Sequence, residues 1–302
     1  LLIIDGGSKD KTREIVAAMI RENNSTDIAI RLLDNPGRTA PAAFNTGIKE
    51  AKGSYVAILG AHCHYTPNYL EVCYNELNKH NAAGCSGLVF PMGNIDNWEQ
   101  ELCTVMLASS FAVSGNSFRT KQAGFADTIP YAVFKKTVFD TVGLYDEKLV
   151  RNQDNDMNQR IRAAGFKLYL TDQASCKYFG KNKLPALYKY ASLIGLWNAK
   201  TLFYKRGAMN LRHFIPFIFL MAISVLLLLT IAAIVLQHKI IFYLAAGLFC
   251  VTLLPYMLLG IYFMFKEKFT YVKARLYFPI AVLGFHLSYG FGTLKGFFQP
   301  LK

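Results

Sequence analysis

The chain has 302 residues, 53% of them hydrophobic, and carries 33 basic against 20 acidic side chains for a formal net charge of +13. Its mean hydropathy of +0.23 is too high for an ordinary soluble chain, and no nucleic-acid-binding module accompanies the positive charge, so a wholly soluble protein and a nucleic-acid partner are set aside. Six scattered cysteines without a C-x-x-C pair give no sign of a zinc site or disulfide framework and suit a reducing cytosol.

Leu1 to Ile4 read as a short strand stopping at Asp5-Gly6-Gly7-Ser8, followed by a helix from about Arg13 to Glu22. No signal peptide is visible, and a start inside a strand suggests that the natural N-terminus lies further upstream. A strand near Ile28 to Leu33, a helix over Ala40 to Ala51 and a strand over Tyr55 to Leu59 continue the alternation. Such alternation predicts an α/β fold with a mixed, mostly parallel sheet, whose ligands lie at the carboxyl ends of the strands. A helix is expected over Pro67 to Lys79, a strand over Gly84 to Phe90, a less regular stretch to Pro130, and a helix near Lys135 to Val142. The polar run Arg151 to Asp156 opens a further helix ending at Gly165, with a short strand at Phe166 to Leu170.

Residues 184–213 interleave aromatic side chains with Lys and Arg and contain no apolar run long enough to span, the pattern of amphipathic helices lying in a membrane interface or packed on a globular domain. Apolar segments follow at about 214–236, 240–264 and 277–298. At about 1.5 Å per residue the first two can each cross a hydrocarbon core of about 30 Å. The third is interrupted by Gly284, Gly290, Gly292 and Gly296 and contains His286 and Lys295, so a span and a re-entrant element both stay open. The division read from composition is therefore a globular domain over 1–183, interfacial helices over 184–213 and a membrane domain over 214–302. Basic residues gather before the first span, Arg206 among them, and at Lys266, Lys268, Lys273 and Arg275. They predict attraction to anionic lipids and a cytoplasmic face for the globular domain and for the loop after the second span.

Three places can carry chemistry. Asp5 reaches a glycine turn at a strand end, where a carboxylate can accept from a ribose or base; an ordinary strand-to-helix turn uses the same residues. Asp154 stands near the start of a helix, able to serve as a general base or as a helix cap. His62 and His64 flank Cys63 in an extended segment that turns both imidazoles to one face, a weak metal site because hard cations prefer carboxylate oxygen.

These segments, in this order, resemble the family 2 glycosyltransferases of GT-A fold, and in particular the membrane-attached bacterial enzymes of the succinoglycan glucosyltransferase type. The resemblance is carried by residues 5–12, by Gly37 to Asn45 with residues 47–53, by Ala61-His62 with Tyr65, by residues 142–147 and by Arg151-Asn152-Gln153-Asp154, and it extends to Trp197 and Arg212-His213. It implies an inverting enzyme of exopolysaccharide or envelope glycan synthesis at the bacterial inner membrane. The donor would be a UDP-sugar held by Asp5, Gly7, Ser8, Asp10, Arg38 and Ala61. Asp154 would be the catalytic base, and Mn²⁺ or Mg²⁺ would be bound with help from His62, with His64 as a possible assistant. The acceptor would be a polyprenyl-diphosphate-linked saccharide, one sugar being added per encounter, since no Gln-x-x-Arg-Trp string occurs. Gly60 stands where relatives carry the first aspartate of the metal motif. Direct transfer to polyprenyl phosphate and a non-catalytic scaffold that keeps the fold are the alternatives.

Overall fold

A computed structural model describes residues 1–23, 28–93, 95–113, 122–205, 207–299 and 301. The elements, in order, are β1 Leu2–Asp5, α1 Thr12–Glu22, β2 Arg31–Asp34, α2 Ala40–Glu50, β3 Tyr55–Ala57, β4 Cys63–Tyr65, α3 Tyr69–Lys79 and β5 Gly84–Met92. Then come α4 Trp98–Ala108, α5 Ser110–Val113, β6 Gly124–Phe125, β7 Val133–Lys135, α6 Thr137–Val142, α7 Gln153–Ala163, β8 Leu168–Phe179 and α8 Leu184–Tyr204. A 3-10 turn at Leu211–Phe214 leads into α9 Ile215–Val235, α10 Lys239–Lys266 and α11 Val272–Phe297. By contact the chain divides into two units, one comprising 1–61, 67–87 and 123–174 and the other 62–66, 88–122 and 175–302, with α4 and α5 in the second. Arg206, named among the basic residues, lies outside the described residues.

The first unit is a mixed α/β structure. β1 and β2 pair in parallel, Leu2 opposite Arg31 through Asp5 opposite Asp34. In the larger sheet β3, β7, β5 and β8 lie side by side, with β6 also on β8. The described ladders here are antiparallel, β3 with β7, β5 with β7 and β6 with β8. α2 starts where the Thr39-Ala40-Pro41 sequence suits a first turn, because proline lacks only an N–H that would be unpaired there. Its Gly47 lies against β1 so closely that an added Cβ would meet Ile4 Cδ1 at 2.9 Å.

The second unit is helical apart from β4 and the C-terminal ends of β5 and β8, with β4 pairing antiparallel with residues 176–178 of β8. Its core joins Leu102, Cys103, Met106 and Leu107 of α4 to Leu187 and Ala191 of α8 and to Ala274, Phe278, Val282 and Phe285 of α11. Two carboxylates two residues apart on α4 cap the helices that follow. Glu99 accepts from Leu184 N at 2.8 Å at the start of α8. The buried Glu101 accepts from Thr270 N at 2.6 Å and Tyr271 N at 2.8 Å at the start of α11, where unpaired amides and the helix dipole favour negative charge.

Helices Leu211–Val235 and Lys239–Lys266 are long and apolar enough to cross a membrane, and only 11% of each most apolar window is buried by protein. So much bare apolar side chain needs a lipid environment, which makes this a membrane-associated chain. The third apolar segment is a continuous helix, α11, with a different setting: it is packed along α8. An added Cβ would lie 1.9 Å from Ser192 O at Gly292, 2.1 Å from Tyr289 O at Gly195 and 2.4 Å from Leu196 O at Gly296. The glycines that read as interruptions are points of closest approach. His286 sits between Tyr256 OH at 2.8 Å and Ala112 O at 3.0 Å, joining α10, α11 and α5.

Candidate active site

The end of β1 builds the glycine corner. Asp5 is buried, and its carboxylate accepts from Gly7 N and Ser8 N at 3.2 Å, from the Ser8 hydroxyl and from Arg13 Nη1 at 2.8 Å. The Ser8 hydroxyl first, and the Arg13 guanidinium second, hold its pKa down at about 2. Gly7 has φ +88°, a conformation glycine adopts at no steric cost. Residues 35–38 close over the corner. Asn35 N donates to Asp5 O at 2.8 Å, and Arg38 N donates to Asn35 O at 3.1 Å. Arg38, itself at φ +51°, lays its guanidinium across Gly7, where an added Cβ would stand 3.6 Å from Nε. Asp5, Gly7, Ser8 and Arg38 are thus brought together. Asp5 spends its lone pairs on shaping the loop, while the exposed Arg38 presents a cation over it. Asp10 is committed elsewhere: it accepts from Thr12 N at 3.0 Å and Thr12 Oγ1 at 2.6 Å at the start of α1, and the Thr12 hydroxyl lowers its pKa.

Polar contacts also tie α2 and α7 to the turn at 142–147. Asn45 of α2, buried, donates to Tyr145 O at 2.9 Å and Glu147 Oε1 at 2.9 Å and accepts from Tyr145 N at 2.8 Å. Arg160 of α7 donates to the carbonyls of Val142 and Leu144, at 2.5 and 3.0 Å, and pairs with Asp156 at 2.8 Å. The turn at 142–147 is therefore clamped between α2 and α7. Asp154, in the first turn of α7, is half-buried and has no ion-pair partner among the described residues. Burial raises its pKa. Its charge in turn raises that of the Tyr145 hydroxyl, beyond the larger effect of that ring's own burial. Asn152, just before the helix, takes φ +63° and makes no side-chain cap. The two acids of the polar run thus separate physically: Asp156 is a buried structural partner, and Asp154 is a partly accessible carboxylate whose proton affinity is raised toward that of a useful base.

His62 and His64 are exposed on either side of the buried Cys63. Their rings make edge contacts with Tyr178 at 5.8 Å and Phe179 at 5.0 Å, adjacent residues of β8 that alternate between its faces, and His62 lies in the turn before β4, so the contacts do not place the two imidazoles on one face of an extended segment. Ala61 is exposed in the turn before β4. Among the described residues no group of three or more His, Cys, Asp or Glu side chains is placed to hold a metal. Two exposed imidazoles with no carboxylate beside them do not fit a hard cation.

An α/β unit with a glycine corner at the end of its first strand and an accessible carboxylate opening a later helix is the arrangement of a GT-A glycosyltransferase. Residues 1–143 match the sequence model of the family described as glycosyl transferase family 2. Among curated proteins, the chain is 30% identical over 220 residues to the succinoglycan biosynthesis protein ExoA of Rhizobium meliloti (strain 1021), covering 72% of this chain and 64% of that protein. It is 26% identical over 234 residues to a dolichyl N-acetyl-alpha-D-glucosaminyl phosphate 3-beta-D-2,3-diacetamido-2,3-dideoxy-beta-D-glucuronosyltransferase of Methanococcus voltae, covering 75% of this chain and 71% of that one. Two solved structures are similar more loosely. One is GalNAc-T7 with UDP, GalNAc and Mn²⁺, with TM-score 0.46 and 15% identity over 67% of this chain and 43% of that one. The other is Staphylococcus aureus TarS with UDP, with TM-score 0.38 and 12% identity over 65% and 55%. Residues 1–143 are thus similar in sequence to the family 2 glycosyltransferases.

Several residues around the site carry little or no signal in the sequence. Arg13 bridges Asp5 and Asp34, each at 2.8 Å, but a lone arginine in the first turn of a helix reads as surface. Asn45 falls inside a stretch that carries the family resemblance, yet its partner lies 100 residues away. Arg160 could have been sought from its i, i+4 spacing to Asp156.

Proposed function

We propose that this chain moves a sugar from a UDP-sugar to a polyprenyl-diphosphate-linked saccharide, with inversion, and that Asp154 is the base. Asp154 removes the proton of the acceptor hydroxyl as that oxygen attacks the anomeric carbon, and the nucleoside diphosphate leaves. The observation that carries this reading is the contrast between Asp154 and Asp156 on one helix turn: the second carboxylate is engaged by Arg160, and the first is left partly accessible with its pKa raised by burial. The glycine corner at Gly7 and Ser8, with the Arg38 guanidinium over it, supplies backbone amides and a positive charge suited to the donor's nucleotide.

The names of the two curated relatives support a lipid-linked acceptor and an exopolysaccharide role. Lys266 closes α10 and Lys268 follows it, whereas at the link from α9 the basic residues are His238 and Lys239, the first residue of α10. That asymmetry supports two spans with the transferase domain and the 267–271 loop in the cytoplasm, near anionic lipid.

The test is incorporation of labelled sugar into the lipid fraction of membranes bearing the full chain, with several UDP-sugars, with and without Mn²⁺. Wild type is expected to transfer at least one, and Asp154→Asn to lose about 10²- to 10⁴-fold, the usual worth of a general base. A wild type that releases no UDP would support the scaffold alternative motivated by Gly60. Labelling of the carrier without a preloaded saccharide would support direct transfer to polyprenyl phosphate.

A further inference from the structure

Tyr131 lies at φ +50°, where a bulky side chain is disfavoured and persists only if its surroundings over-determine it. They do. The Tyr69 hydroxyl donates to Tyr131 O at 2.8 Å, and Ser86 Oγ donates to Pro130 O. Tyr69 OH also lies 3.3 Å from Ser86 Oγ and accepts from Gly87 N at 3.2 Å, with Tyr69 and Ser86 both buried. Glycine or asparagine would make this turn at less cost. The network grips main-chain carbonyls that any residue would offer, so it tolerates the strain without requiring it, and a tyrosine kept at such a position points to a use for its ring.

Its place follows from α7. Arg162 Nε donates to Asp127 O at 3.1 Å, and one turn earlier Asn158 Nδ2 reaches Ile129 O at 3.5 Å. Residues 154, 158 and 162 share one helix face, and segment 127–131 runs back along that face two residues per turn. Extrapolated by one turn, this register points residue 131 toward Asp154, with the Tyr131 carbonyl itself taken by Tyr69 instead of by α7. The Tyr131 residue is half-buried, so part of it is accessible.

We infer that Tyr131 lines the sugar subsite beside Asp154, its ring packing against the C–H face of the donor hexose and fixing that hexose relative to the base. The inference rests on Asp154 being the base. Tyr131→Gly and Tyr131→Asn suit the left-handed conformation, so both are expected to fold and to melt at or above the wild-type temperature. In the full chain, binding of UDP, UDP-glucose, UDP-galactose and UDP-N-acetylglucosamine is measured by competition with a fluorescent UDP. Both variants should bind UDP as wild type does and lose roughly two- to twelve-fold of the discrimination between the preferred UDP-sugar and UDP, the size of an aromatic face contact. Asp154→Asn should keep that discrimination. Unchanged discrimination in the Tyr131 variants, or none in the wild type, overturns the inference. Lost discrimination together with an Asp154→Asn variant that still transfers sugar would leave the Tyr131 contact standing and remove the base.

Discussion

The two units of this chain are held together by different means. In the first, distant segments are fixed by side chains that satisfy backbone groups: Asn45 on the 145–147 turn, Arg160 on the carbonyls of Val142 and Leu144, Tyr69 on Tyr131. In the second, α8 and α11 approach backbone to backbone through Gly195, Gly292 and Gly296, and only the termini receive carboxylate caps from Glu99 and Glu101. The difference is physical. Directional hydrogen bonds place a catalytic group accurately, whereas helices beside lipid gain little from apolar burial against one another and associate through close van der Waals contact at small residues.

Arg160→Ala should be the severest break in the first unit, costing about 3–5 kcal/mol because it strands the buried Asp156 and unpairs carbonyls of the 142–144 turn; urea unfolding of the full chain in detergent measures it. Gly292→Ala should cost about 1–3 kcal/mol by overpacking α8 against α11, seen as a lower melting temperature, while leaving the affinity of the first unit for UDP unchanged. A loss of UDP affinity in Gly292→Ala would erase the contrast. Asn45→Ala leaves Tyr145 N and O without their partner and should cost about 2 kcal/mol, with a loss of transfer larger than the loss of stability predicts.

The smallest effect is a titration. Because the folded pKa of Asp5 is held at about 2, below its ordinary 3.8, its contribution to stability is complete above about pH 4 and is lost as pH falls from there toward 2. Asp5→Asn should flatten the stability profile in that window. Asp154 has the opposite sign. Its pKa is raised by burial, so its ionised form opposes folding at neutral pH, and Asp154→Asn should melt slightly higher there.

Much of the first unit was readable in the sequence, since strand and helix alternate and each apolar run is short enough to be assigned. β8 runs to Phe179, well past the short strand expected at residues 166–170, because an edge pairing with β4 extends it. The polar run at 151–156 located the candidate base, but two aspartates in a first helical turn look alike until Arg160 is seen to take one of them. The glycines of α11 were ambiguous for a related reason. Glycine in an apolar helix serves a break or a contact equally, and only the position of Ser192 and Leu196 decides. The grouping of α4 with α8 and α11 was hidden because the apolar stripe Leu102, Cys103, Met106 and Leu107 suits any apolar partner.

In the proposed mechanism Asp154 acts on the acceptor while Asp156 only supports the helix. The most direct measurement is the pH dependence of labelled-sugar transfer by wild type and Asp154→Asn in the same membranes. The account predicts a wild-type rate that falls on the acid side with an apparent pKa above the ordinary 3.8 of aspartate, and a variant at least about a hundredfold slower at every pH. Transfer by Asp154→Asn within about twofold of wild type, with the same acid limb, would contradict it.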